Sequence, residues 1–378
     1  MKILILFFLI LCGSSFADWI QPPESTESGY PVPQPDKIPT LPSAHAAHPS
    51  YGIEWWYWIG HIDSLDGEKS FGFQSTVFRL KGGLQASPFA KFPAFGNQQI
   101  FMAHTALSDF TRGTYIHGER IYREGWQARA SSDRLDIAVG GIEAEICDDS
   151  KIIKLRMVLP EGGFLDLEML PTKPLVAFGD RGLSRKGEDP AAVSWYWTYP
   201  RLSISGILKS GDESIEVKGT GWMDHEISSS QLSGNLVGWD WTAIQLFDGS
   251  EVKAYRLRNE DGSADPWSAV YWIDKTGKLC NVYSDSFFWE NDDDWESSIT
   301  GNLYPTSVTI RAIHPVTGKE MLYRLKPLIQ DQEFIGNRVE NAYWEGACDV
   351  FGSCGKIIGR AYLELAGYGS GLGNYLTK

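Results

Sequence analysis

Residues 56–80 read WYWIGHIDSLDGEKSFGFQSTVFRL, and residues 239–257 read WDWTAIQLFDGSEVKAYRL. Both open on Trp-x-Trp, alternate apolar and polar positions, break at Asp-Gly, and run out through an Arg-Leu pair. Asp-Gly between two alternating runs is a strong hairpin signal, because Gly supplies the positive φ that a tight turn needs. The two stretches therefore predict two related β halves, each beginning on a Trp-bearing strand. The polar loop at 227–235, ISSSQLSGN, is the natural boundary between them.

The same pattern extends outward in both directions. SFGFQSTVFRL, KIIKLRMVL, SIEVKGTGW, SVTIRAIHP and RAYLELAGY are short, alternate with period two, and are rich in β-branched and aromatic residues. No stretch keeps a helical period over many turns, so the chain is expected to be all-β. Residues 1–17, MKILILFFLILCGSSFA, have the layout of a secretory signal peptide. Its Lys precedes a short apolar run, and Ser15 and Ala17 stand at the cleavage positions. Residues 18–47, rich in Pro, Ser and Ala, read as an extended leader and not as a packed element. An N-terminal domain is expected over 48–228 and a C-terminal one over 236–378. An exported chain of this kind is expected to be periplasmic or extracellular. Nothing after residue 17 is long and apolar enough to cross a bilayer as a helix; peripheral association with a membrane or a transporter is left open.

Without residues 1–17 the chain carries 33 basic and 48 acidic residues, a net charge of −15, which disfavours nucleic-acid partners. Cys147, Cys280, Cys348 and Cys354 remain. Cys348 and Cys354 flank a turn and could meet across a hairpin; free buried thiols are the other reading. No cofactor is expected. His225-Glu226 lacks a second histidine at the zincin spacing, no nucleophile elbow is present, and no paired set of metal ligands is evident. The 15 Trp, 16 Tyr and 18 Phe are a heavy aromatic load, suited both to filling two barrels and to walling an apolar ligand.

Further motifs give the chain a kinship. HPSYGIEWWYWIGHI, MAHTALSDF, LDLEMLPTKPLVAFGDRGLSRKG, SWYWTYPRLSISG, GTGWMDHEISSSQL and GWDWTAIQLFDGSEVKAYRLR occur in that order. With YWEGACDVFG near the end, they make the chain resemble the carotenoid 1,2-hydratase (hydroxyneurosporene synthase) family, and most nearly its exported AttH-like branch. The resemblance covers nearly everything from His48 to Tyr368. It implies a pair of packed lipocalin-like (calycin-type) β-barrel domains and a hydrophobic ligand of isoprenoid or lipid type. It also implies that Asp224 takes the Asp place of the family's Asp-His pair, as proton donor, with His225 beside it.

Hydrating an isolated alkene needs an acid strong enough to protonate carbon, and a carboxyl kept neutral by burial can serve. Asp224 and His225 are accordingly the candidate catalytic residues, and Trp222, Trp197, Trp195, Tyr57, Trp239 and Trp241 the candidate ligand walls. Strand alternation sends Trp222 and Asp224 to one face and Met223 and His225 to the other, so His225 is expected to serve a domain contact or another polar cluster. Glu54, Arg79, His61 and His104 form a second set, with Glu54, Trp56 and Trp58 on one face of their strand. One departure stands out: where the hydratase branch has a histidine ahead of its Pro-Arg, this chain has Trp195 and Trp197. Two functions follow. The first is an acid-catalysed hydratase or isomerase. The second is a non-catalytic carrier of lipid or lipoprotein, with Asp224-His225-Glu226 bracing the barrels.

Overall fold

The computed structural model describes residues 19–36, 40–81, 99–146, 151–232, 234–337 and 341–369. The signal-peptide reading, Cys12 and Cys147 lie outside them. Strands dominate, and the helical elements described are single 3-10 turns at Ser43–His45 and Ser284–Ser286. Among the described residues the strands form two large antiparallel sheets, one of 13 strands and one of 10.

In each sheet the opening strand pairs with the last one. In the first, the opening strand Ile53–Ser64 lies between its hairpin partner Ser70–Lys81 and the last strand, Glu213–Ser228. In the second, Leu236–Leu246 lies between Glu251–Asn259 and the last strand, Ile357–Ala366. The Trp-x-Trp strands thus occupy equivalent places where each sheet returns on itself. Both predicted Asp-Gly turns are present, with Gly67 at φ 78° and Gly249 at φ 90°. The first sheet curls around an apolar core that includes Trp56, Trp58, Phe73, Phe101, Ile137, Leu155, Leu167 and Met223. The second encloses Ile244, Trp272, Tyr304, Tyr323, Trp344 and Leu363. This is the nearly all-β, lipocalin-like pair of barrels expected from the sequence.

A third core lies between the barrels. It draws Tyr57, Ile59, Tyr196 and Trp222 from the first sheet and Trp241, Tyr255, Tyr271 and Tyr362 from the second. Polar bonds cross the same seam. His61 Nε2 bonds the Ala361 carbonyl at 3.0 Å, Gln74 donates to the Tyr343 hydroxyl at 2.8 Å, and Gln245 donates to the Gly221 carbonyl at 2.7 Å. Glu251 accepts from both Lys173 and Arg201 of the other barrel. The alternation that fills each barrel with one set of side chains leaves the opposite set to face its neighbour.

Two sequence expectations change. The leader is packed: Val32, Ala44, His45 and Ala46 are buried, the Trp195 indole donates to the Gln34 carbonyl, and the Trp56 indole donates to the His45 carbonyl. Its prolines supply no backbone donors, and the segment docks through carbonyls on indole N–H groups and through the Asp36 and Ala47 amides on the Arg181 and Ser131 carbonyls. Cys348 and Cys354 are not joined. Cys348 points into the second core, while Cys354 is exposed in the turn before Ile357–Ala366.

Candidate functional site

The adjacent strands Ile53–Ser64, Glu213–Ser228 and Val193–Ser210 carry most of the chemistry, and register decides how it is divided. Trp56 is paired with His225 and Trp197 with His225, whereas Tyr57 and Thr198 are both paired with Asp224. Every second residue faces the seam; the rest face the interior of the first barrel or the docked leader.

On the inner face, Glu54 is fully buried and engaged on both oxygens. Oε1 accepts from His48 Nδ1 and His225 Nε2, each at 2.8 Å, and Oε2 accepts from Arg79 Nε at 2.8 Å. Burial pushes the Glu54 carboxyl up, but the two imidazoles and the guanidinium outweigh it and hold it well below the usual carboxylate range. His225 stacks on Trp56 at 4.8 Å between ring centroids and meets Trp197 at 5.6 Å. His45 lies 5.8 Å from it, and burial, reinforced by the two neighbouring histidines, depresses its pKa to about 3. His48, Glu54 and His225 each bring a ligand atom within 4.8 Å of the others, a spacing that would suit a metal ion. Arg79 already neutralises that carboxylate, and both imidazoles spend a nitrogen on it. The arrangement is an ion-paired hydrogen-bond network.

On the seam face, Asp224 is 2 % exposed. Its Oδ1 accepts from the Trp222 indole at 2.7 Å and from the Thr198 hydroxyl; its Oδ2 accepts from the Tyr196 hydroxyl at 2.6 Å. Tyr196 in turn accepts from the Trp241 indole at 3.1 Å, so a relay runs from the second barrel to the carboxyl. Burial raises the Asp224 pKa to about 6, against the lowering effect of Lys253 and the three donors. No arginine bonds it among the described residues. Tyr57 meets Trp241 edge-on at 5.5 Å and donates to Glu345 of the second barrel. Burial, with the Glu364 charge beside it, pushes Glu345 well above the ordinary carboxyl range, and burial raises Glu364 to about 7.

Lys253 completes this face and was not among the residues singled out by sequence. It is fully buried, and its Nζ has no hydrogen-bond partner among the described residues. The amine lies 3.5 Å from the Tyr196 ring centroid, 3.9 Å from that of Phe178 and 4.9 Å from that of Tyr255. Burial, reinforced by the Lys186 ammonium, drives its pKa well below that of an ordinary lysine. The only sequence signal was its place in SEVKAYRL, where alternation puts Glu251, Lys253 and Tyr255 on one face. A cleft is lined by Tyr255, Tyr271, Trp267, Tyr283, Arg185 and leader residue Trp19, and its first two residues also belong to the ring cage around Lys253.

The predicted set is therefore divided. Asp224, Trp222, Tyr57 and Trp241 share the seam. His225, Trp195 and Trp197 lie on the opposite face of the same sheet, with Trp195 and Trp197 stacked on each other at 6.1 Å beside His48, so they do not wall Asp224. Trp239 is half-buried at the edge of the seam cluster. Asp240 turns away from the seam to Arg256 and Arg258. His104 bonds Tyr343 across the seam and Glu119 of the neighbouring strand in its own barrel.

The fold and this seam define a two-barrel lipocalin-like protein with buried acid, amine and phenol groups between its barrels. The AttH-like family model matches residues 32–368, and the chain belongs to that family. A crystal structure of a Nitrosomonas europaea chain assigned to AttH is 31% identical with a TM-score of 0.78, over 90% of this chain and 99% of that one. Kievitone hydratase from Nectria haematococca shares the fold at 15% identity and a TM-score of 0.64, over 92% of this chain and 98% of that one. A ceramide-binding protein, SVF1 of Debaryomyces hansenii, is 33% identical over 82 residues. That match covers 21% of this chain and 22% of the yeast protein's length. Among the described residues no helix is long and apolar enough to cross a membrane.

Proposed function

We propose that the seam between the barrels is a hydratase- or isomerase-type active site for a hydrophobic, isoprenoid or lipid-like substrate. The observation that carries this reading is the Asp224–Tyr196–Lys253 cluster, three titratable groups buried among Trp222, Trp241, Phe178 and Tyr57. Burying a carboxyl and an amine together costs stability, and groups held at that cost with strongly perturbed protonation are concentrated at functional sites. Asp224, with its pKa raised to about 6, can hold a proton near neutral pH and pass it through Tyr196 to a bound alkene carbon. The surrounding ring faces can stabilise the cation that results. Kinship to a fold that includes kievitone hydratase supports the reaction class, and the signal-peptide layout of residues 1–17 supports export to the periplasm or beyond. Turnover of linear isoprenoid alkenes, followed by product mass, tests the reading. Asp224→Asn is expected to lower the rate by about 10²–10⁴-fold, and an unchanged rate would remove Asp224 from the reaction.

A carrier without chemistry is the second reading, favoured by the 82-residue match to a ceramide-binding protein. Native mass spectrometry of the purified protein separates the two. An intact co-purified lipid that survives incubation supports the carrier, and altered lipid supports the enzyme.

A further inference from the structure

Lys253 is the group on the seam that acid catalysis by Asp224 leaves without a task. A buried ammonium requires acceptors for three N–H donors, and every nearby acid is committed elsewhere. Glu251, two positions back on the same strand face, is taken by Lys173 at 2.5 Å and Arg201 at 2.6 Å. Glu226 lies 2.8 Å from Lys186 Nζ. Asp224 accepts from Trp222, Thr198 and Tyr196. What remains around Lys253 Nζ is the rings of Phe178, Tyr196, Tyr255 and Tyr271, with centroids 3.5–5.4 Å away. Tyr255 and Tyr271 also line the cleft that holds Trp267 and Tyr283, so two of the rings around the amine form part of that cleft's wall.

We propose that Lys253 captures the carbonyl carbon of a hydrophobic aldehyde or ketone as an imine. A lysine held free of hydrogen-bond acceptors in an apolar cage is an activated nucleophile, and burial favours its neutral form. The Nζ lone pair attacks the carbonyl carbon and the C=O π pair moves to oxygen. One amine proton is transferred to that oxygen, and an acid proton from Asp224 through the Tyr196 hydroxyl lets it depart as water. The nitrogen lone pair then closes C=N, and loss of the second amine proton returns the borrowed one. The net change is amine plus carbonyl to imine plus water. The imine's protonated form draws electrons from a conjugated alkene, so water can add at the β carbon and hydrolysis can free the lysine. This deepens the hydratase reading and rests on it: the favoured substrate becomes an apolar enal or enone.

The test uses the full chain with citral, an apolar conjugated aldehyde, and its alcohol counterpart geraniol, which cannot form an imine. Protein is incubated with citral and sodium cyanoborohydride, digested and mapped, while tryptophan fluorescence follows binding of both probes. The expected result is an adduct on the Lys253 peptide at least about tenfold above that on exposed lysines such as Lys209 and Lys218. Lys253→Met and Lys253→Arg should abolish it while geraniol still binds. Equal binding of both probes with no adduct on Lys253 would overturn carbonyl capture and leave the hydrophobic seam site standing. Absence of binding by either probe would overturn both.

Discussion

Asp224→Asn offers the sharpest physical test, because its effect on stability depends on pH in a way the geometry fixes. Asp224 has a folded pKa of about 6 against an unfolded 3.8, a difference of about two units. At ~1.36 kcal/mol per unit, the folded protein carries a penalty of roughly 3 kcal/mol once the carboxyl ionises. Because the folded pKa is raised, the folded chain binds more protons than the unfolded one between these values, and stability falls as pH rises. The penalty is absent below pH 3.8, grows through the interval, and is complete above about 6. Asparagine cannot ionise and carries none of it. It can still accept from Trp222 and Thr198 through its single oxygen, but it loses the acceptor for Tyr196, at a cost of about 1–3 kcal/mol. The variant should therefore be less stable than the parent near pH 4 and recover by roughly 3 kcal/mol by pH 7. Urea denaturation of both proteins at half-unit pH steps measures the difference, and repetition in a Lys253→Met background isolates Asp224. A difference that stays flat across this range would mean that burial does not perturb Asp224, and the proton-donor argument would fall with it.

Other perturbations separate the two faces of the sheet. Tyr196→Phe breaks the link from Trp241 to Asp224; turnover of an isoprenoid alkene should fall by about 10²-fold while binding, read by fluorescence titration, is retained. Glu54→Gln leaves Arg79 without its buried partner and should cost about 3–5 kcal/mol in denaturation. Glu54's pKa is depressed, so the parent's advantage should be full above pH 4.5 and shrink as pH falls below it. Gly72→Ala would place a Cβ 2.4 Å from the Tyr362 hydroxyl and 3.1 Å from Ala347 Cβ, both of the opposite barrel. A loss of about 1–3 kcal/mol in thermal or urea unfolding is expected there, with hydrogen exchange raised along the seam.

Much of the fold was legible because β-structure writes itself with period two and Asp-Gly marks its turns. Alternation in GWMDHE placed Trp222 and Asp224 together and sent His225 to the other side, where it meets Glu54. The same rule placed Glu54 with Trp56 and Trp58. It did not carry across strands: Trp195 and Trp197 alternate correctly, but only the register of Val193–Ser210 on Glu213–Ser228 puts them beside His225 instead of Asp224. The leader misled for a related reason. Proline-rich composition excludes sheet hydrogen bonds but says nothing of carbonyls accepting from indoles.

By itself, the sequence determined the two β halves, their hairpins, the family and the sharing of one strand face by Trp222 and Asp224, since each follows from local alternation or ordered motifs. Lys253 was decided by tertiary structure alone. Nothing within its own strand distinguishes it from a solvated lysine, because its surroundings come from residues far away in the chain: Phe178 and Tyr196 of the first barrel, and Tyr271 of a neighbouring strand. A lysine's chemistry depends on which groups are left to solvate it, and that is settled only when the two barrels close on each other.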